Sequence, residues 1–281
     1  MNTLQIDIKK VLEQKNPFLA KIPFLVFLLK RLIHERGIND CLRSIGNVSG
    51  TAFAAAAPEY FDVHVETKIK GSLSPNGRYV FVGNHPLGGL DGLAFAIAIS
   101  NIYPDIRFPV NDILLSIKGL EEIFIPINKH GGQTKKGVSE INEAYASPDK
   151  QILMFPAGLC SREINGNIVD LEWKPNFVKN AIRYERDVVP VYITGKNKNW
   201  FYWVANWRER IGIKSNIEML LLPDQVFRQK SKSIIIKIGE PISYDNLKSH
   251  LKKLSGKTVA EKTVAEKTVT DFIRQEVYKM R

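Results

Sequence analysis

A histidine and an aspartate bracket a glycine- and proline-rich turn in Gly83-Asn84-His85-Pro86-Leu87-Gly88-Gly89-Leu90-Asp91-Gly92. The apolar run ending at Gly83 reads as a buried strand, and a helix is expected to open near Asp91. In open α/β sheets, ligands and catalytic groups collect beyond the carboxyl ends of strands. A carboxylate that fixes one ring nitrogen of a histidine leaves the other to take a proton from a substrate hydroxyl. The same residues permit a structural reading, in which Asp91 caps its helix, worth about 1 kcal/mol, and His85 is a hydrogen-bonded turn residue. No metal site is expected, because no second histidine or cysteine lies close by in sequence. Cys160 has no base visible beside it and reads as an incidental thiol rather than a nucleophile. GxSxG, GxxxxGK[ST], GxGxxG and HExxH are all absent.

The elements that must position these residues follow from hydrophobic patterning. Strands are expected at 61–69, 79–83, 107–110, 123–127, 151–155, 188–193, 217–221 and 233–238, with helices at 92–100, 137–146 and 176–184 between them. Near-continuous apolar runs such as Val188-Val189-Pro190-Val191-Tyr192-Ile193 suit strands covered on both faces. The predicted fold class is therefore α/β, a mixed and largely parallel sheet flanked by helices. Three regions are expected: an N-terminal helical, membrane-associating segment over 1–60, an α/β domain over 61–245 and a tail over 246–281. In the tail, Lys-Thr-Val-Ala-Glu occurs at 257–261 and again at 262–266. Five residues match no helical period, so a solvated spacer is expected there, followed by a short helix over 271–280.

Asn84-His85 with Asp91 resembles the NHxxxxD block of the glycerolipid and lysophospholipid acyltransferase superfamily. Further blocks follow in that superfamily's order. Residues 119–129, ending Phe124-Ile125-Pro126-Ile127-Asn128-Lys129, resemble the second. Phe155-Pro156-Ala157-Gly158-Leu159-Cys160-Ser161-Arg162 is similar to the FPEGTRS block. Val188-Val189-Pro190-Val191 resembles the fourth, and Ile238-Gly239-Glu240-Pro241-Ile242 the terminal strand end. The departures are specific. Five residues separate His85 from Asp91, one more than usual, a bulge that Gly88 and Gly89 can absorb through positive φ. Ala157 stands where glutamate is usual, and the second block lacks its arginine.

The resemblance implies an O-acyltransferase of polar-lipid synthesis. His85 would be the general base, oriented by Asp91, and the activated hydroxyl of a lyso-lipid would attack an acyl-carrier-protein or coenzyme A thioester directly. No cofactor is implied beyond that co-substrate. Substrate contacts would come from Asn84, Lys129, Phe155, Pro156, Gly158, Ser161 and Arg162, with backbone N–H groups around Gly158 as oxyanion donors. The altered second and third blocks put a phosphorylated acceptor in doubt and keep an amino-acid lyso-lipid open, with Lys129, Lys135, Lys136 and Arg162 as a replacement anion site. A catalytically silent lipid-binding protein of the same fold is the alternative.

The charge agrees with an anionic surface as partner: 40 Lys and Arg oppose 29 Asp and Glu, a formal +11. The basic residues are scattered and accompany no nucleic-acid-binding motif, so nucleic acid is not expected as a partner. A helix is expected from Pro23 to a cap at Gly37, with Phe24, Phe27 and Leu28 apolar and Lys30 and Arg31 basic. It reads either as a core helix or as one dipping into a membrane interface. Trp200 and Trp203, in the aromatic run over 200–207, favour such an interface. The apolar stretch is shorter than the roughly 20 residues of a membrane span, and no secretory leader is expected. A peripheral place on the cytoplasmic face of a membrane is the resulting expectation.

Overall fold

The computed structural model describes residues 5–111, 117–127, 135–256 and 258–281. Among these, five helices lead into the first strand: α1 (Ile8–Lys15), α2 (Pro17–Ala20), α3 (Pro23–Leu32), α4 (Glu35–Ile45) and α5 (Gly50–Tyr60). Strand–helix alternation follows with β1 (His64–Ile69), β2 (Tyr79–Gly83), α6 (Leu90–Ser100), β3 (Ile106–Asn111), β4 (Phe124–Ile127), α7 (Lys135–Ala146) and β5 (Gln151–Met154). A hairpin of β6 (Arg162–Ile164) and β7 (Asn167–Val169) precedes α8 (Asn176–Arg183), β8 (Asp187–Ile193), α9 (Asn199–Arg210) and α10 (Leu222–Phe227). The chain closes with β9 (Ser233–Ile238), α11 (Tyr244–Leu254) and α12 (Val259–Lys279).

Seven strands form one sheet in the order β1-β9-β8-β2-β5-β3-β4, parallel throughout except where β8 meets β9. The fold is thus α/β with a mixed, largely parallel sheet. Side-chain alternation along β2 shows why it sits at the centre. Tyr79 and Phe81 enter the core beneath α4, α5 and α6, while Val80 and Val82 enter the opposite core with α8, α11 and α12. At the edge, β1 carries His64, Glu66 and Lys68, charges that blunt a strand otherwise open to pairing. Parallel neighbours β2, β5 and β3 end on the same side, which brings the segments after Gly83 and Met154 together.

Three expectations are corrected. Residues 217–221 form a 3₁₀ turn rather than a strand, with Glu218 drawn into the interior by two arginines. The helix from Pro23 stops at Leu32, because His34 adopts the left-handed conformation (φ 57°), and Gly37 lies inside the next helix rather than capping the first. Cys41 and Leu42 of α4 and Phe53, Ala54 and Ala57 of α5 belong to the core under the sheet.

The third correction concerns the tail, where α12 begins at Val259 and not near Asp271. Thr258 and Glu261 form a reciprocal capping box that starts it. Each five-residue step turns about 140° around a helix, so the repeat itself has no face, but the residues after it do. Ala265, Val269, Thr270, Ile273 and Val277 are buried along one stripe. Three threonine hydroxyls donate to carbonyls one turn back, Thr263 to Val259, Thr268 to Val264 and Thr270 to Glu266, so each hydroxyl is satisfied within the helix. Lys179 pairs with Glu266 at 2.8 Å and pins the first half to α8.

Candidate active site

His85 and Asp91 meet across the turn that joins β2 to α6, with Nδ1 of His85 2.9 Å from Oδ2 of Asp91. Asp91 is fully buried and also accepts the backbone N–H groups of Leu87, Gly88, Gly89 and Gly92 at 2.7–3.1 Å. One carboxylate therefore satisfies three amides of the loop and one of the first helical turn, and it orients the imidazole. Burial alone would push the Asp91 carboxyl up. The His85 ring and the loop N–H groups outweigh it and hold the group below its ordinary value. The extra residue between His85 and Asp91 is absorbed at Gly88 (φ +78°), whereas Gly89 is extended. A β-carbon at Gly88 would come within 2.7 Å of Leu222.

Phe155, just beyond β5, stacks on the imidazole with ring centroids 4.0 Å apart and planes 16° apart. Asn84 grips Ile193 of the neighbouring strand through both backbone groups, at 2.7 and 2.9 Å, and so locks the end of β2 to β8. With Nδ1 on Asp91 and a face on Phe155, Nε2 is the nitrogen left to receive a proton from a substrate.

The other residues expected to contact substrate have partners of their own. Arg162 is buried, with its guanidinium 2.6 Å from Glu218, which Arg208 approaches from the other side at 2.8 Å. A second guanidinium nitrogen of Arg162 donates to the Cys160 carbonyl. Facing inward, this arginine joins the third block to the 3₁₀ turn and α9. The Ser161 hydroxyl is likewise buried and donates to Asp170 at 2.6 Å. Pro156 is buried and Gly158 turns the chain at φ +66°. Gly158 N–H closes that turn on the Phe155 carbonyl and Ser161 N–H bonds the His85 carbonyl, so neither amide is left for an oxyanion. Lys129 lies outside the described residues, and Lys135 and Lys136 open α7. Burial pushes the Cys160 thiol up to about 12, which leaves it inert.

Sequence reading missed Asp170. It lies 85 residues from His85, yet it accepts the His85 backbone N–H at 3.1 Å, the Ser161 hydroxyl and the indole N–H of Trp173 at 2.9 Å. No spacing pattern marks it. Only the neighbouring Trp173, one turn away, hints at a buried polar node.

Of the expected membrane-contacting residues, Phe24, Phe27 and Leu28 are exposed at 74%, 62% and 47%, and only Val26 of α3 is buried. Lys30 pairs with Glu35 at 3.0 Å. In α9, Phe201 and Tyr202 are core, while Trp203 stands 63% exposed and stacks on Trp207. Trp200 is half-buried beneath the Arg228 guanidinium. Among the described residues no helix is long and apolar enough to cross a membrane.

A His–Asp pair at the carboxyl edge of a largely parallel sheet, with a stacked aromatic from the adjacent strand end, suits proton abstraction from a hydroxyl. Residues 10–272 match the family model described as acyltransferase, and the chain belongs to that family. It is 38% identical to the lyso-glycine lipid O-acyltransferase of Bacteroides thetaiotaomicron over 278 residues, 98% of this chain and 97% of the relative. Its identity to the enzyme of the same description from Phocaeicola vulgatus is 39%, over 98% of this chain and 95% of that one. Among solved structures, the 1-acyl-sn-glycerophosphate acyltransferase PlsC of Thermotoga maritima aligns with a TM-score of 0.45 at 15% identity, covering 97% of this chain and 95% of that one. The protein is an acyltransferase.

Proposed function

We propose that this acyltransferase moves a fatty acyl group from an acyl-carrier-protein or coenzyme A thioester to a hydroxyl of a lyso-lipid with an amino-acid head group. A lyso-glycine lipid is the first candidate. The observation that carries the reading is the His85–Asp91 pair, taken together with relatives that share more than a third of this sequence over its whole length. His85 Nε2 takes the hydroxyl proton as the oxygen attacks the thioester carbonyl. The tetrahedral oxyanion collapses, the C–S bond breaks, and the leaving thiolate recovers the proton from His85. Asp91 stabilises the transient imidazolium and keeps Nε2 aimed outward.

Two features favour an amino-acid over a phosphate head group. Ala157 supplies no carboxylate where the superfamily's third block has glutamate, and Arg162 is held by Glu218. A pocket of about 470 Å³ between the β6–β7 hairpin and α9 is lined by Lys196 and Arg210, which outnumber the one acidic group, Glu163, together with Trp203 and Trp207. A single carboxylate and an acyl chain suit that lining. Membrane delivery of the acceptor, on the cytoplasmic face, fits the exposed Phe18, Phe24, Phe27 and Leu28.

The test is a matrix of acyl-carrier-protein and coenzyme A donors against lyso-glycine lipid and lysophosphatidate, with products read by mass spectrometry. Acylated glycine lipid should form with at least one donor and lysophosphatidate should turn over poorly. A preference for lysophosphatidate contradicts the proposal.

A further inference from the structure

We infer that Asp170 is a positioning residue for His85 and that, through it, the C-terminal helix α12 belongs to the catalytic apparatus. The inference rests on the role proposed above for His85. Asp170 follows β7 directly and is buried. Its Oδ1 accepts from the His85 backbone N–H and from Ser161 Oγ, and its Oδ2 accepts from Trp173 Nε1. Ser161 in turn donates its N–H to the His85 carbonyl at 2.7 Å. Both backbone groups of His85 are thereby tied to one carboxylate–serine unit. Asp91 sets the direction of the ring, and Asp170 sets where its backbone sits.

Asp170 is itself held from α12. Its N–H donates to the Tyr278 hydroxyl at 2.7 Å, and its carbonyl accepts from Arg274 at 2.5 Å. Arg274 also lies over the Tyr278 ring, and Tyr278 packs edge-on against Tyr192 of β8. A residue some 190 positions from His85 is thus two hydrogen bonds from its backbone. The three partners of the carboxylate are all donors, which suits its ionised form, although burial pushes the group up against them. An ionised Asp170 favours the positive ring that forms during proton transfer. The other charged and titratable groups around the turn and Asp170 are Asp91 on α6, Cys160 with the Arg162–Glu218–Arg208 group behind the third block, Tyr192 on β8 with Arg281 beside it, Tyr202 on α9, and Arg274 and Tyr278 on α12.

Asp170→Asn keeps the shape and an acceptor at Oδ1 but removes the charge. With the circular dichroism spectrum unchanged, kcat should fall about tenfold or more while KM for donor and acceptor stays within about twofold, because misplacement of the base acts on the chemical step. The acid limb of kcat/KM should move to lower pH, since loss of a nearby carboxylate disfavours the protonated ring. Tyr278→Phe should lower kcat about threefold or more with KM unchanged. Ile273→Ala, in the buried stripe of the same helix, serves as the packing control. It should lower melting temperature and leave the acid limb in place.

If Asp170→Asn fails to fold, Ser161→Ala and Tyr278→Phe decide by kcat. A folded Asp170→Asn with wild-type kcat and an unmoved acid limb overturns the inference, as does a Tyr278→Phe enzyme with wild-type kcat. Should His85→Ala stay active, the functional reading fails first. A dead His85→Ala beside a normal Asp170→Asn refutes this inference alone.

Discussion

Asp91 holds the candidate site together, because one buried carboxylate both anchors four loop amides and orients His85. Asp91→Asn should lower acyl transfer strongly and cost about 1–3 kcal/mol in denaturant unfolding, since an amide nitrogen would face donors. The pH dependence has a definite sign. The folded-state value of Asp91 is depressed, so its stabilisation is present above the ordinary carboxylate value of 3.8 and is lost as pH falls through the depressed value. Thermal unfolding across that acid range should show wild type losing stability faster than Asp91→Asn. Arg162 belongs to a different part of the molecule. Its removal leaves Glu218 buried with one partner fewer, so Arg162→Ala should destabilise by about 3–5 kcal/mol. A variant that keeps its stability and loses only affinity for an anionic acceptor would return Arg162 to the substrate. The sequence made His85 and Asp91 legible because a strand end, a glycine turn and a helix start are local features. Asp170 and Glu218 were not, because their partners are brought to them by sheet topology rather than by spacing.

At the scale of elements, the buried strands of the sheet and the helices α6, α7 and α8 were readable from apolar runs, whereas α4, α5, α9 and α11 were not. Failures came where a local signal was overridden. His34 takes a left-handed conformation that ends α3 early, and its ring stacks on Phe227 while Nε2 meets Asp224 at 2.9 Å. In the tail, β-branched residues and a five-residue period hid a helix whose buried stripe begins only at Ala265. Deleting residues 257–266 removes the capping box, Ala265 and the Lys179–Glu266 pair. It should lower the melting temperature by several degrees, at roughly 2–4 °C per kcal/mol for a chain of this size. An unchanged melting temperature would show that the helix is held entirely from Lys267 onward. Ile273→Ala should cost about 2–5 kcal/mol by cavity formation.

For the whole molecule, the N-terminal helices and α9 meet around α10. Asp224 binds both His34 and Arg228, and Arg228 lies over Trp200. Phe24, Phe27 and Leu28 of α3 stand exposed, and the Trp203–Trp207 stack lines the pocket between the β6–β7 hairpin and α9. Liposome co-sedimentation should show binding to anionic vesicles that weakens with salt, at about 1 kcal/mol per basic residue near the surface, yet persists through apolar insertion. Phe24, Phe27 and Leu28 changed together to serine should remove the salt-resistant part, and wild type left unbound at low salt would refute the docking. The central claim, that His85 is the base of an acyl transfer onto a lyso-lipid hydroxyl, has a direct measurement. Wild type and His85→Ala, matched by circular dichroism, are given lyso-glycine lipid and a labelled acyl thioester in single-turnover acyl transfer. The predicted result is labelled diacyl product from wild type and a rate about 10²–10⁴-fold lower for His85→Ala with the fold intact. Near-normal acyl transfer by His85→Ala would contradict the account.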